Sequence, residues 1–232
     1  MVWDWFPTYF DQLVAGLLLT LELLVISIFF GMLLAIPIGL VQVTGPKWLA
    51  RIALGFCTVI RGTPLLIQLW LIYYGIGSGI FPDIPGLKQS VFWPYLRDAY
   101  PYAITAFVFS VAGYSGEVMR GAFAGVPKGE LEAARAMGMS PFKVLYRIWL
   151  PRALQNVFPT LAGEMVLTLK STPLAATITV QELFGVGYQI RQDTYRIYEP
   201  LLLIAGIYII LTGIIVLIMR YLENRVPRPA AA

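Results

Sequence analysis

Several ionisable side chains of this chain lie inside long apolar stretches, where a charge is costly and usually has a function. The acidic ones are Glu22 and Glu164, and the basic ones are Arg61 and Lys170. An unpaired carboxylate in an apolar bundle tends to take up a proton, whereas a cation passing beside it would keep it ionised. These residue types therefore point to binding of a charged substrate inside a membrane.

Glu164 is the best candidate for a substrate contact. It stands in the stretch PTLAGEMVLTLKSTPL, with Gly163 beside it to admit a close backbone approach. Thr168 follows one helical turn later on the same face and is the second candidate. The alternative is a structural ion pair of Glu164 with Lys170 or with a cation of a partner chain, and the residues alone leave both interpretations open.

Lys170 and Glu22 are further candidates for the same substrate pathway. On an unbroken helix Lys170 would not share the face of Glu164, but Pro173 interrupts the helix and could expose Lys170 to a central cavity. A structural role for Lys170 is the favoured interpretation. Glu22 either lines the same cavity or reaches water at the outer interface.

Other charges are expected at the inner membrane interface. Arg61 stands in the motif RGTP, where Gly62 and Pro64 are expected to bend the entry to a span, and no direct substrate role is predicted for it. Glu117 and Arg120 are three residues apart and should form a surface ion pair.

The composition argues against an enzyme, a metal site or a bound cofactor. The chain has no histidine and a single cysteine, Cys57, within an apolar stretch. This excludes a disulfide framework and leaves no set of thiolate and imidazole ligands for zinc. The sequence Lys170-Ser171 lacks the preceding glycines of a phosphate-binding loop, so the chain is not expected to bind ATP.

The elements that carry these residues are predicted to be transmembrane helices. Hydrophobic residues make up 58% of the chain and charged residues 13%, about half the charged share of a soluble domain. Runs of about 20 apolar residues suffice to cross a bilayer. We predict an all-α, polytopic membrane bundle with five spans, at about 13–41, 54–80, 99–119, 156–183 and 200–219. They form one domain, residues 1–222, followed by a tail at 223–232.

The distribution of lysine and arginine predicts the orientation of this bundle. One side collects 11 of them: Lys47, Arg51, Arg120, Lys128, Arg135, Lys143, Arg147, Arg152, Arg220, Arg225 and Arg228. The other side holds 4: Lys88, Arg97, Arg191 and Arg196. Because cytoplasmic loops retain positive charge, the N-terminus should face outward and the C-terminus the cytoplasm. The net charge of +4 then reflects orientation, and no nucleic-acid partner is expected.

The longest cytoplasmic connection, residues 120–155, is predicted to form two short helices joined at Gly138. Pro127 suits the first turn of the first helix, and Glu130 lies near its positive end. In the second helix Ser140 is the expected cap, with Pro141 at the first position, and Pro151 is expected to end it.

The first of these helices has a slim surface. Ala133, Ala134 and Ala136 would let another backbone approach closely, while Glu132 and Arg135 offer polar contacts at the rim. Such a helix suits docking in a groove of a partner. The alternative is a pair of amphipathic helices lying on the membrane surface.

The loop resembles the cytoplasmic signature of binding-protein-dependent ABC importer permeases. That signature is Glu-Ala-Ala, three residues, Gly, nine residues and Ile-x-Leu-Pro, here Glu132, Ala133, Ala134, Gly138, Ile148, Leu150 and Pro151. The stretches TLEL, RGTPLLIQL, GYSGEVMRGAF, VPKGELEAARAMG and GEMVLTLKSTPLA are similar to permeases of the polar and basic amino-acid branch, including histidine/lysine/arginine/ornithine and opine permeases.

The resemblance implies the type I permease fold of ABC importers in a bacterial inner membrane. It implies that the loop is a coupling helix, with Glu132, Ala133, Ala134, Arg135 and Gly138 at the contact with a separate ATPase subunit that binds ATP and magnesium. Further expected partners are a second permease subunit, identical or homologous, a periplasmic binding protein and membrane lipid. The resemblance also implies that the position of Glu164 helps to bind substrate, an acidic residue there accompanying cationic amino acids.

Two other classes of function compete with this one. An ion-coupled secondary carrier or channel would need no docking helix and usually needs more spans per functional unit. A membrane enzyme would need a nucleophile with a base or a metal cluster, and the sequence offers neither.

Overall fold

The computed structural model describes residues 3–225, and the regular elements in that range are helical. The long helices are α1 (Phe6–Thr44), α2 (Lys47–Gly62), α5 (Tyr100–Ala124), α8 (Leu150–Ser171) and α10 (Tyr198–Arg225). Shorter ones are α3 (Leu65–Trp70), α4 (Trp93–Leu96), α6 (Lys128–Ala136), α7 (Pro141–Val144) and α9 (Leu183–Thr194). The predicted all-α membrane bundle is confirmed, while residues 226–232 of the predicted tail lie outside the described range.

Helices α1 and α5 form the central pair of the bundle and run in the same direction. A side-chain carbon at Gly31 would meet Val111, and one at Gly39 would meet Met119 and the backbone of Arg120. Small residues on α1 therefore let the two backbones come close, the usual way in which membrane helices associate. Pro37 lies inside α1, yet the helix continues to Thr44.

Among residues 3–225, three segments are long and apolar enough to cross a membrane by length and composition: Phe6–Thr44, Leu65–Asp83 and Tyr198–Glu223. Helices α5 and α8, with 25 and 22 residues, are also long enough to cross but less apolar. Helix α5 packs against α1, α2, α3 and α8, so other helices rather than lipid surround it. A helix shielded in this way needs no uniformly apolar surface. Hydropathy alone therefore does not identify α5 as a crossing helix.

The second crossing is interrupted, contrary to the continuous span predicted at 54–80. It begins earlier, with α2 at Lys47, stops at Thr63 and Pro64, and resumes as α3 and a π-helix, Leu71–Ile80. Pro64 has no N–H and forces the residue before it into an extended conformation, which Thr63 adopts. Ile60 faces Gly113 and Gly77 faces Tyr102, so both parts run antiparallel to α5.

The fourth crossing is longer than predicted at its start. Helix α7, a π-helix at Leu145–Trp149 and α8 follow one another without a break, so Pro151 does not end a helix as expected. The wider π turn accommodates a proline, which has no N–H to donate and would crowd the preceding turn of an α-helix. The predicted interruption near Pro173 is confirmed: α8 ends at Ser171, and a 3₁₀ helix follows at Thr172–Ile178.

Most of residues 181–190 lie in helix α9, between the fourth and fifth crossings. Their glycines serve packing: a side-chain carbon at Gly187 would overlap Ile204 of α10, and one at Gly16 of α1 would meet Val186. Helix α9 therefore fills the space between the first and last crossings.

The cytoplasmic loop and the C-terminal ends of α1, α5 and α10 gather at one end of the bundle. Gly39 of α1 lies beside Met119 of α5, and Met219 of α10 shares a small cavity with Phe158 and Leu161 of α8. Within the described residues, this end carries the larger group of lysines and arginines counted above, and the positive-inside rule makes it cytoplasmic.

Candidate substrate cavity and docking loop

A cavity of about 450 Å³ lies between α2, α5, α8 and the break at Thr63 and Pro64, and it is called the Glu164 cavity below. Its polar wall consists of Arg61, Thr63, Gln68, Ser110, Tyr114, Glu164, Thr168 and Ser171. The volume falls within the range of small-molecule sites, about 300–1,000 Å³. The cavity could therefore hold one amino acid.

The structure brings Glu164 and Thr168 together in this cavity, as their spacing predicts. The Thr168 hydroxyl donates to the backbone carbonyl of Glu164 at 2.8 Å, which leaves its oxygen free to accept from a ligand. The Glu164 carboxylate makes no hydrogen bond or ion pair with any described residue. The close backbone approach expected at Gly163 is absent in the described part of this chain, because no atom lies within 4 Å of a side-chain carbon placed there.

Arg61 also lines this cavity, which corrects its predicted place at the inner interface. The prediction placed Arg61 near the inner end because it started the second crossing at about residue 54, several residues too late. Since α2 begins at Lys47, Arg61 is carried about 21 Å along the helix axis, at 1.5 Å per residue. Its guanidinium carbon lies 6.0 Å from the centre of the Tyr114 ring.

Lys170 and Glu22 do not lie in the cavity of Glu164. Lys170 is exposed and lines a separate groove with Pro173 and Tyr208. Glu22 lines an outer groove and accepts a hydrogen bond of 2.5 Å from the Tyr100 hydroxyl. A substrate role for either residue stays a prediction, and neither would act at the same point of the pathway as Glu164.

In the cytoplasmic loop, α6 is held against the bundle by one face. Leu131 and Ala134 are 8% and 3% exposed and belong to the core cluster around Phe123 and Val144. Ala134 is thus turned inward, which corrects its predicted place on the docking surface. The outward face carries Glu132, Ala133, Arg135 and Ala136, all exposed.

The predicted junction of the two loop helices is confirmed. Gly138 has a φ of +77°, a conformation that glycine adopts without strain. Ser140 caps α7, its hydroxyl oxygen accepting from the backbone N–H of Lys143 at 3.4 Å.

A two-point ion pair connects α6 to the start of α8. Arg152 donates to both carboxylate oxygens of Glu130, at 2.7 and 2.8 Å. This hydrogen bonding lowers the pKa of Glu130 below its usual range. The spacing of the two residues gave no sign of the pair, because it depends on how α6 folds back against α8.

Three exposed apolar side chains lie near the outward face of α6 and were missed from the sequence. Met137 is 79%, Phe142 75% and Tyr146 66% exposed, and the rings of Phe142 and Tyr146 stack with their centres 6.5 Å apart. Exposed apolar residues grouped at one place mark interaction surfaces. The i, i+4 spacing of two aromatic residues in a charged loop was the available signal.

Helical crossings broken at prolines, a polar cavity between them and a folded helical loop at the basic end define a membrane transport subunit. Broken helices that line a cavity are a recurring feature of transporters. The chain belongs to the family described as the inner membrane component of binding-protein-dependent transport systems, whose model matches residues 10–228. It is thus a permease subunit of an ABC importer, a transport component and not an enzyme. The ion-coupled carrier is thereby set aside.

Named relatives cover nearly the whole chain. The octopine transport system permease protein of Rhizobium radiobacter is 39% identical over 92% of this chain and 85% of its own length. The arginine ABC transporter permease protein of Haemophilus influenzae is 32% identical over 95% of both. A crystal structure of an amino acid ABC transporter with histidines is 29% identical, has a TM-score of 0.77, and is matched over 94% of this chain and 96% of that one.

Proposed function

We propose that this permease subunit carries cationic amino acids, or opines built from them, through the cavity lined by Glu164. The observation that carries the proposal is a carboxylate without a partner in a cavity large enough for one amino acid. A charge left unpaired inside a helix bundle is costly, and a cationic ligand would remove that cost. The names of relatives that transport octopine and arginine support the same class of substrate.

Transport is driven by a separate ATPase subunit that binds ATP and magnesium and docks on the outward face of α6. Its docking surface comprises Glu132, Ala133, Arg135 and Ala136, extended by Met137, Phe142 and Tyr146. When ATP closes the ATPase subunits, α6 moves with them, and α8 follows because it continues from the loop and is held by the Glu130–Arg152 pair. This motion opens the cavity outward to a loaded periplasmic binding protein.

A second permease subunit, identical or homologous, completes the pathway. Arg61, Gly62, Thr63 and Pro64 line the cavity yet are exposed in this chain. One side of the cavity is therefore open, and a neighbouring subunit of the same fold would close it. Lipid surrounds the remaining apolar surface, of which α10 contributes a large part.

The experiment is uptake by vesicles reconstituted with the complete complex, its binding protein and internal ATP. Labelled arginine would be competed with lysine, ornithine, histidine, octopine, glutamine and glutamate. We expect the cationic amino acids or octopine to compete and glutamate not to. Stronger competition by glutamine or glutamate would contradict the proposed substrate class, and uptake without ATP would contradict the driving force.

A further inference from the structure

Two opposite charges face the Glu164 cavity, and neither has an ion-pair partner among the described residues. Arg61 lines it from the end of α2 and Glu164 lines it from α8. They form no ion pair with each other, and the Arg61 guanidinium makes no hydrogen bond or ion pair with any described residue. Its described contact is the ring of Tyr114 at 6.0 Å. All donors of this guanidinium are therefore available to a ligand.

A third unsatisfied group lies in the same wall. Gln68 is 8% exposed, and its Nε2 donates to the carbonyl of Ile60 at 2.8 Å and to the carbonyl of Thr63 at 3.0 Å. Two carbonyl acceptors fix the orientation of the amide, because only its nitrogen can donate to them. The Oε1 atom is left buried without a partner among the described residues. Because this oxygen has less than 1 Å² of accessible surface, Gln68 is not assigned a ligand contact, and its amide instead holds the break at Thr63 in shape.

The chemistry of these groups matches the two ends of a basic amino acid. The Arg61 guanidinium can bind a carboxylate with two parallel hydrogen bonds, and the Glu164 carboxylate can pair with a cationic side chain. A ligand with only a cationic end would leave Arg61 unpaired and exposed to a like charge. The arrangement thus discriminates against cations that lack a carboxylate.

We propose that Arg61 binds the α-carboxylate of the substrate, so that the amino acid lies across the cavity with its cationic side chain toward Glu164. The inference rests on the proposed function and deepens it. It makes Arg61 a specificity-determining residue that selects amino acids over amines and amides of the same length. The break at Thr63 and Pro64 serves this role, because α2 ends there and presents Arg61 to the cavity.

The test is equilibrium binding to the purified permease–ATPase complex without nucleotide, which bypasses the choice made by the binding protein. The probes are labelled L-arginine and L-argininamide, which keeps the guanidinium and the α-amine but has no carboxylate. We expect the unaltered complex to bind arginine about ten-fold more tightly than argininamide, the usual value of one charge-assisted contact. Equal affinities would overturn the inference without any variant being made.

Variants then assign this preference to a residue. Arg61→Met should weaken arginine binding about ten-fold and leave argininamide unchanged, while Arg61→Lys should keep part of the preference. Glu164→Gln should weaken both ligands equally. Arg51→Met is the matched control, since Arg51 is an exposed arginine of the same helix outside the cavity lining. It should bind both ligands as the unaltered complex does.

The outcomes separate the two proposals. If Arg61→Met weakens both ligands equally, or changes neither, Arg61 does not bind the carboxylate and the inference fails, while an effect of Glu164→Gln still supports the proposed function. If the unaltered complex binds arginine but Glu164→Gln changes neither ligand, the proposed cationic subsite fails. If it binds neither ligand, both proposals fail.

Discussion

Two carboxylates inside this bundle have opposite surroundings. The difference distinguishes a structural carboxylate, Glu182, from a candidate for substrate binding, Glu164. Glu182 is fully buried, but its oxygens accept from the backbone N–H groups of Phe184 and Gly185 at 3.0 and 2.8 Å and from the Tyr208 hydroxyl at 2.9 Å. It caps α9 and its charge is satisfied. Glu164 has no such partners, so only Glu164 has unused capacity to bind a ligand.

Replacing Glu164 by glutamine should therefore change substrate preference rather than folding. We expect ATP-driven arginine uptake at limiting substrate to fall about ten-fold or more, because a charge-assisted contact is worth roughly 1.5–3 kcal/mol. Uptake of any neutral amino acid that the complex accepts should change little. The measurement is flux in reconstituted vesicles with a saturating binding protein of broad specificity.

Thr168→Val is the matched comparison, because it removes one neutral hydroxyl from the same helix face and should have the smaller effect. Equal losses for cationic and neutral substrates after Glu164→Gln would mean that Glu164 holds the bundle together. Unchanged flux for both would remove it from the pathway.

The Glu130–Arg152 pair predicts a defect in coupling. Both side chains are about one third exposed, so breaking the pair should hardly affect stability. Its geometry nevertheless ties α6 to α8, and Glu130→Gln should raise the ATP hydrolysed per molecule transported. Because hydrogen bonding to Arg152 lowers the pKa of Glu130, the carboxylate stays charged at neutral pH, and the pair is lost only as the pH falls through that lowered pKa.

The control for this defect is the double variant Glu130→Arg with Arg152→Glu. It restores an ion pair between α6 and α8 with the two charges exchanged. It should recover much of the coupling lost in either single variant, as measured by ATPase activity and uptake in the same vesicles. A double variant as uncoupled as the singles, or fully coupled singles, would show that the pair does not transmit the motion.

Sequence patterns located the long helices better than the breaks within them. Helices α1 and α10 follow from continuous apolar runs, and α5 from a weaker one. The break at Pro64 was read as a bend, while Pro151 was expected to end a helix and does not. A proline constrains its own turn, but whether the helix continues depends on what the neighbouring turn can accommodate.

The cavity was predictable only in part, for a related reason. Glu164 and Thr168 lie four apart on one helix, so local spacing was enough to group them. Arg61 and Gln68 join them from another crossing, and their contribution depends on where α2 begins and stops. Long-range placement of this kind leaves no local pattern in the sequence.

The glycine contact between α1 and α5 should be sensitive to a single methyl group. A side-chain carbon at Gly39 would lie 2.7 Å from Cβ of Met119 and 2.8 Å from the backbone nitrogen of Arg120. Because a backbone atom cannot turn away, Gly39→Ala should destabilise the protein by about 1–3 kcal/mol. A lower midpoint of thermal unfolding of the purified complex would report this change.

Gly55→Ala on α2 provides the matched control, since no atom lies within 4 Å of the added carbon. It should not lower the midpoint, because alanine has the higher helix propensity. Equal midpoints for Gly39→Ala and the unaltered protein would mean that the two helices can separate without cost.

Gly138 sets the angle between α6 and α7 through its backbone conformation rather than through packing. No atom lies within 4 Å of a carbon added there, but its φ of +77° is costly for alanine by about 1–2 kcal/mol. Gly138→Ala should therefore reduce co-purification of the ATPase subunit about five-fold or more. Gly138→Asn should be milder, because asparagine tolerates this conformation. If both variants kept the ATPase fully bound, the loop angle would not matter for docking.

The molecule as a whole is polarised from end to end. One end holds the folded loop with α6 and most of the lysines and arginines, and the other holds the short helices around α4 and the ion pair between Arg196 and Asp4 at 2.9 Å. This asymmetry sets the orientation in the membrane. It also puts the proposed ATPase contact at the end opposite to the one that would face a periplasmic binding protein, as an importer requires.

Cysteine labelling can test this orientation on the intact protein. The single native cysteine, Cys57, is 1% exposed, so Cys57→Ala gives a background without cysteine at little cost. In that background Lys88→Cys should react with a membrane-impermeant maleimide in spheroplasts. Lys143→Cys should react only after the membrane is opened, because the loop that contains it lies at the cytoplasmic end. The reverse pattern, or reaction of both sites from one side, would overturn the orientation and with it the assignment of α6 to the ATPase.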